Sequence, residues 1–443
     1  MAQVAVLTID NTKVADNVTD FPVYVDLSDM NATFWSTVAN GGGDIRVFKS
    51  DGTTELAREV VSCDTGTDTG EIHFKFTGTL SGSVDTVVQI HADGVSSDYA
   101  VGATYGRNNV WSGYDGVYHL NSNTDSHGSN DGTATAMTYS AGKIGDAGDF
   151  NGTSSYLTYP DATLTASNSF SVSFWVKADS NPSGNGCTLF EKFSGHTGWN
   201  YGTPSIGLNP TRSVEGSNRD SSGIISSSTF GDASDGSYHH ICMIHDSSVG
   251  SYGNVKSFFD GVLITTVNNI RAFTDYNRGV RVGKSEDSWQ GAYLDGLIDE
   301  TRITSSALSA DWITTEYNNQ NSPATFYTIS DADPSFIISE SLSLSETSTN
   351  LRGLVSTTNE SLSVSETITA LKGISFTIAE SLGLVESYTY LHNKLFIIAE
   401  SLNVVEVKAY VQKKWSNISK STVATVTNGV KTAVSVITNR PKS

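Results

Sequence analysis

The sequence predicts an all-β protein, and three observations carry that reading. Apolar residues recur at every second position in runs of four to seven. Gly, Ser, Thr, Asn and Asp fill the gaps between runs, with 40 glycines among 443 residues. Charged residues are only 17% while aromatics reach 10%, enough ring area for real cores and too much for a disordered chain. A chain of this length suits two to four domains.

Four parts follow in order. In residues 1–105, alternation is clear from Val4 to Ile9, Phe21 to Leu27, Ile45 to Phe48, Ile72 to Phe76 and Val84 to Ile90, which reads as a β-sandwich. In residues 106–328, short strands such as Phe170-Ser171-Val172-Ser173-Phe174-Trp175-Val176 alternate with Asn151-Gly152, Asp260-Gly261 and Asp295-Gly296, dipeptides suited to hairpin turns. Ser309 to Tyr317 reads as a short closing helix with Trp312 and Ile313 toward the core.

Residues 329–407 are a strict repeat of period 20. Glu340, Glu360, Glu380 and Glu400 each open a Glu-Ser-Leu block, closed at Glu346, Glu366, Glu386 and Glu406. A unit this short has one apolar face and must stack on its neighbours or on other chains, as a shaft or lattice element does. Residues 408–443 hold seven Lys or Arg and no acid, so of the total charge of −20 this tail carries +7 and the preceding 407 residues −27. Within the tail an 11-residue repeat starts at Trp415, Val426 and Ile437, with Asn417, Asn428 and Asn439 in phase.

The acidic balance argues against wrapping a nucleic-acid backbone. Cys63, Cys187 and Cys242 are too few and too dispersed for a disulfide framework or a zinc motif and read as buried thiols. No apolar run reaches membrane-span length, so no membrane insertion is expected. The N-terminus shows neither the basic region nor the apolar core of a signal peptide, which predicts synthesis in a cytoplasm. Paired alternating carboxylates of the glycoside-hydrolase kind, a Gly-x-Ser-x-Gly elbow, a phosphate-binding glycine loop and His-Glu-x-x-His are all missing from the sequence, so no enzyme is expected. His239-His240 is the most tempting pair, but neighbours in a strand point to opposite faces and should not share a metal.

Two resemblances add to this. Phe21 to Leu27, Gly43 to Val47 and Leu56 to Val60 resemble a small uncharacterised β-domain that often precedes laminin G-like domains in bacterial and phage surface proteins, and Tyr105 to Trp111 resembles the usual junction. Gly116 to Leu120, Phe150 to Leu157, Phe170 to Val176, His239 to Ile241, Phe259 to Val262, Val282-Gly283 and Leu294 to Ile303, in that order, resemble the laminin G-like, concanavalin A-like jelly roll. That resemblance implies a structural calcium ion between the first and last strands, with Asn121 and Asp299 at the matching positions. Oxygen-only ligands suit Ca²⁺; the alternative is that Asp299 only hydrogen-bonds a turn. Aromatic platforms for a glycan would be Trp199 and Tyr201 in one loop, with Tyr276 and Trp289 in two others. The alternative is that Trp199 lies at a sheet edge and Trp289 caps the core.

The tail also resembles short repeats that end some phage structural proteins. Together the features imply a bacteriophage virion surface protein, a tail-fibre-like adhesin or capsid decoration that binds host-surface glycan. Its C-terminal arm would join other virion structural proteins or copies of itself, with a homotrimer favoured. The alternative is a cellular surface or secreted carbohydrate-binding adhesin.

Overall fold

A computed structural model describes residues 2–331, apart from 166–168, 185, 193–203, 212, 220–224, 271–276 and 285–291, together with 422–427 and 433–438. The chain is nearly all β, as its alternation predicts. The N-terminal sandwich faces one sheet against another. The first has the order Tyr327–Asp331, Ala2–Ile9, Thr86–Ala92, Arg46–Lys49, Glu55–Leu56; the second runs Val18–Asp26, Thr69–Leu80, Arg58–Asp64. Phe21, Val23 and Val25 alternate inward and meet Leu7, Ile9, Val47, Ile72 and Phe74 in one apolar core.

The sandwich is not continuous in sequence. Its outer strand, Tyr327–Asp331, lies beyond the jelly roll and pairs antiparallel with Ala2–Ile9, Ile329 opposite Leu7. Phe326 and Tyr327 are buried in the N-terminal core. A linear division at residues 105 and 328 therefore cuts through this strand. The reason is topological: alternation says that 327–331 is a strand, not which sheet receives it.

The jelly roll packs two antiparallel sheets. One has the order Thr138–Ala141, Asp146–Asn151, Asp295–Thr304, Phe170–Ala178, His239–Asp246, Asn254–Phe259, Val262–Asn268, with Gly116–Tyr118 also paired to Asp295–Thr304. The other runs Ile225–Asp232, Ser213–Arg219, Pro204–Leu208, Cys187–Lys192, Val280–Val282, Tyr156–Tyr159, Thr133–Thr135. Phe150, Phe170, Phe174, Phe190, Ile241 and Ile298 belong to the core between them. Of the three glycine dipeptides, only Asp260-Gly261 makes a two-residue hairpin. Its φ values of 50° and 74° and the Phe259–Val262 pair define the type I′ geometry that matches strand twist. Asn151-Gly152 instead starts the crossing from one sheet to the other, and Gly296 lies within a strand opposite Ala178.

The closing helix runs Ala310–Asn321, four residues past its expected end, and the Ser309 side chain caps it by accepting from the Trp312 N–H. Ile313 is fully buried against Cys242, Ile244 and Phe258, as expected. Trp312 does more: it packs on the jelly roll and on the N-terminal core, edge-on to Phe21 at 5.0 Å. The three cysteines are buried and free, and burial pushes the thiols of Cys63 and Cys187 up to about 11 and about 12.

The chain divides into two compact units, Met1–Asp333 and Pro334–Ser443. The 20-residue repeats lie outside the described residues. In the tail, Thr422–Thr427 pairs antiparallel with Ala433–Thr438, so the strand of one 11-residue repeat meets the equivalent strand of the next. Among the described residues, no helix is long and apolar enough to cross a membrane.

Candidate functional sites: a polar groove and a buried cluster

At one end of the jelly roll, three segments frame a groove of about 460 Å³: the loop after Asp146–Asn151, the loop after Phe170–Ala178 and the entry to Asp295–Thr304. Its walls include Asn151, Thr153, Ser180, Asn181, Tyr293 and Asp295. Asn151 builds the wall, because its Oδ1 accepts from the Thr153 and Ser154 N–H groups at 2.9 Å each. Asp295 Oδ2 accepts from the Ser180 hydroxyl at 2.6 Å. Tyr293 is half-buried, its hydroxyl accepting from Lys284 Nζ at 2.6 Å while that ammonium lies 4.2 Å from the ring centroid. Gly152 sits at φ 70°, and a Cβ there would come within 2.9 Å of the Asp295 Cβ, so the two loops close on each other only with glycine. A half-exposed ring beside a carboxylate and an amide can stack on a sugar face and bind its hydroxyls.

Trp199, Tyr201, Tyr276 and Trp289, the expected glycan platforms, lie outside the described residues. Tyr293 was not singled out in the sequence. Its signal was an aromatic residue just ahead of the Asp295-Gly296 pair, between apolar runs, but nothing local says that three loops meet there.

The expected calcium positions are described. Asp299 is fully buried, and its Oδ2 accepts from the backbone N–H groups of Lys143 and Ile144 at 2.9 Å each, while Oδ1 accepts from that of Glu300 at 2.7 Å. Burial, then the adjacent Glu300 charge, pushes its pKa well above the usual carboxylate range. Asn121 is exposed, and among the described residues no hydrogen bond joins it to Asp299. His239 and His240 diverge: His239 Nδ1 meets Asp260 at 2.8 Å, whereas His240 is buried with Nε2 3.1 Å from Glu316.

The second site lies between the N-terminal sandwich and the jelly roll. Ile298 and Ile303 both belong to the jelly-roll core although they are five apart, which strict alternation forbids. A bulge resolves this: the register with Phe170–Ala178 shifts between Ser173 and Trp175, and Glu300 takes φ 49°. The bulge lets Glu300 and Arg302 face away from the jelly-roll core, their side chains joined at 2.8 Å. There they meet strand Thr69–Leu80 of the other domain. Glu71 Oε1 is 2.8 Å from His73 Nε2 and 3.5 Å from His119 Nδ1, which is itself 2.5 Å from Glu300 Oε1. One ligand atom from each of these four buried residues lies within 4.8 Å of the others.

Around them, His119 Nε2 is 3.2 Å from Glu59 Oε2, which accepts from the Trp111 indole N–H, and Arg302 spans Glu300 and Glu316. Burial pushes Glu71 up to about 8 and His73 well below the usual imidazole value. Burial also opposes charge on His119, but the Glu300 and Glu59 carboxylates outweigh it and raise its pKa. Sequence reasoning passed over all four residues. The Glu71-Ile72-His73 alternation placed two polar groups on one strand face, but their partners come from 119 and 300.

Comparison with a family model agrees with the jelly-roll fold. Residues 151–314 match the family model of the concanavalin A-like lectin/glucanases superfamily, Laminin_G_3. This part of the chain is a concanavalin A-like domain. Similar solved structures include domain 4 of AbnA, an extracellular GH43 arabinanase of Geobacillus stearothermophilus, in complex with arabinotriose, at 26% identity over 45% of this chain and 96% of that one, TM-score 0.37. They also include the botulinum neurotoxin serotype D binding domain, at 14% identity over 47% and 51% with a TM-score of 0.37. The type G receptor-binding domain follows at 13% over 47% and 51%, TM-score 0.35. The chain thus spans about half the length of these toxin domains. A comparison with curated proteins returns no match.

Proposed function

We propose that this protein binds carbohydrate without cleaving it, through the groove at the end of its concanavalin A-like domain, and displays that domain on the surface of a bacteriophage virion. The observation that carries the binding reading is the convergence of Tyr293, Asp295 and Asn181 in one solvent-open groove of ligand size. Its chemistry fits a neutral or amine-bearing sugar better than a strongly anionic one, because Asp295 lines it. Among the described residues, the pair of carboxylates that glycoside hydrolysis needs is not found on its walls, where Asp295 is the one acid. The virion reading draws on the period-20 repeats and the basic tail, which supply stacking units and a cationic docking segment at one end of an acidic chain. In this reading, the C-terminal arm joins virion structural proteins or copies of the chain, a trimer first among them.

The test is a glycan array probed with the full chain and with Tyr293→Ala. Binding to a defined glycan set that falls about tenfold in the variant, with the melting temperature unchanged, supports the groove. Equal binding by both proteins moves the ligand site elsewhere. Release of sugar from a bound glycan would refute the non-enzymatic reading. Light scattering tests the arm: the full chain should be an oligomer and residues 1–333 a monomer.

A further inference from the structure

We propose that Glu71, His73, His119 and Glu300 form a divalent transition-metal site, of the kind zinc occupies, that locks the N-terminal sandwich to the jelly roll. Each domain supplies one histidine and one glutamate, so neither holds the set alone. All four residues are buried, and their ligand atoms converge within 4.8 Å. With metal–ligand bonds of about 2.0–2.1 Å, the edge of a tetrahedron is about 3.3 Å. That length falls between the shortest contact here, His119 to Glu300 at 2.5 Å, and the outer limit of 4.8 Å. Two imidazoles with two carboxylates suit zinc, manganese or iron; calcium takes oxygen ligands alone.

The surroundings have the form that metal ligands need. His119 turns Nδ1 toward the centre while its other nitrogen meets the Glu59 carboxylate at 3.2 Å, and Glu59 is held by the Trp111 indole. Glu300 turns Oε1 inward while Oε2 accepts from Arg302 at 2.8 Å. For His119 and Glu300 the atoms not facing the centre are thus held by a second layer, which fixes ring and carboxylate orientation, whereas His73 Nδ1 is buried without a hydrogen-bond partner among the described residues. Charge points the same way. The buried carboxyl groups of Glu59, Glu71 and Glu300 face one permanent cation, Arg302, which Glu316 also draws on, and otherwise only the positive charge of the His119 imidazole. A divalent ion supplies what is missing where bare carboxylates would be costly. Because the centre is enclosed, the ion enters as the two domains dock.

The experiment uses the full chain produced with Zn²⁺ in the medium and under zinc depletion. Metal content by mass spectrometry should be about one Zn²⁺ per chain, with a melting temperature higher on the order of 5 °C than that of the depleted protein. Glu71→Gln and His73→Gln should lose the ion and the shift, while His239→Gln, outside the cluster, should keep both. No retained zinc, with identical melting in both preparations, would overturn the site and leave a hydrogen-bonded network. Equal zinc content in the cluster variants would overturn it as well. Should those variants fail to fold, X-ray absorption at the zinc edge of the wild type decides: two imidazoles among the ligands support the site, and none refutes it.

Discussion

The side-chain amide of Asn319 closes both hydrogen bonds of Tyr24, its Oδ1 accepting from the Tyr24 N–H at 2.7 Å and its Nδ2 donating to the Tyr24 carbonyl at 2.9 Å. Asn319 stands on the closing helix of the jelly roll and Tyr24 on a strand of the N-terminal sandwich. Both residues are buried, so the amide serves as one residue of a neighbouring strand and lets a sheet edge be covered without orphaned polar groups. The two domains therefore lie within one compact unit, Met1–Asp333.

Asn319→Ala should cost about 3 kcal/mol, because both Tyr24 backbone groups are left buried and unpaired. Asn318→Ala, which removes one half-buried bond to the Lys13 carbonyl, should cost about 1 kcal/mol. Urea unfolding should show one cooperative transition in each variant; separate transitions for the two domains would refute the shared unit.

A chain ended after Ser322 should lose the N-terminal sandwich, whereas one ended after Asp333 should fold. The shorter chain lacks Phe326 and Tyr327, each worth about 3–5 kcal/mol in a core, and the outer strand they begin. Near-ultraviolet circular dichroism and hydrogen exchange at Ala2–Ile9 give the readout. Equal protection in both chains would show the returning strand to be dispensable.

Gly152→Ala should destabilise by about 1–3 kcal/mol and weaken glycan binding together. The added Cβ sits in a left-handed conformation and meets Asp295 at 2.9 Å, so the groove wall must move. A variant with normal melting and normal array binding would show that the wall yields without consequence.

Asp299→Ala should cost about 3 kcal/mol, since the N–H groups of Lys143, Ile144 and Glu300 lose their common acceptor. The same loss is expected in excess Ca²⁺ and in chelator, because backbone donors already occupy this carboxylate. A loss seen only with calcium present would show that the ion, and not the turn, is what Asp299 holds.

His239 should make stability fall as pH rises above its ordinary value. Hydrogen bonding to Asp260 outweighs burial and raises its pKa in the folded state, so the folded protein holds this proton more tightly. The contribution is fully present below about pH 6.5 and is lost as pH climbs through the raised value. Melting of His239→Gln should decline less steeply than wild type between pH 6 and 9; parallel curves would remove His239 from the account.

The all-β class, the positions of most N-terminal strands, the Asp260-Gly261 hairpin, the closing helix from Ser309 and the burial of the thiols were legible in the sequence. Each is set by forces acting within a few residues: alternation of side chains, the φ preferences of a dipeptide, one hydroxyl reaching the next turn. Tertiary structure alone decided that Tyr327–Asp331 returns to the first sheet, that the free edge of Val18–Asp26 is covered by a helix, and that His119 meets Glu300 from 181 residues away. Alternation records that a face is buried and not what buries it. The bulge at Glu300 shows the limit most clearly. One extra residue turns a glutamate and an arginine away from the core side, and only the register with a distant strand reveals it.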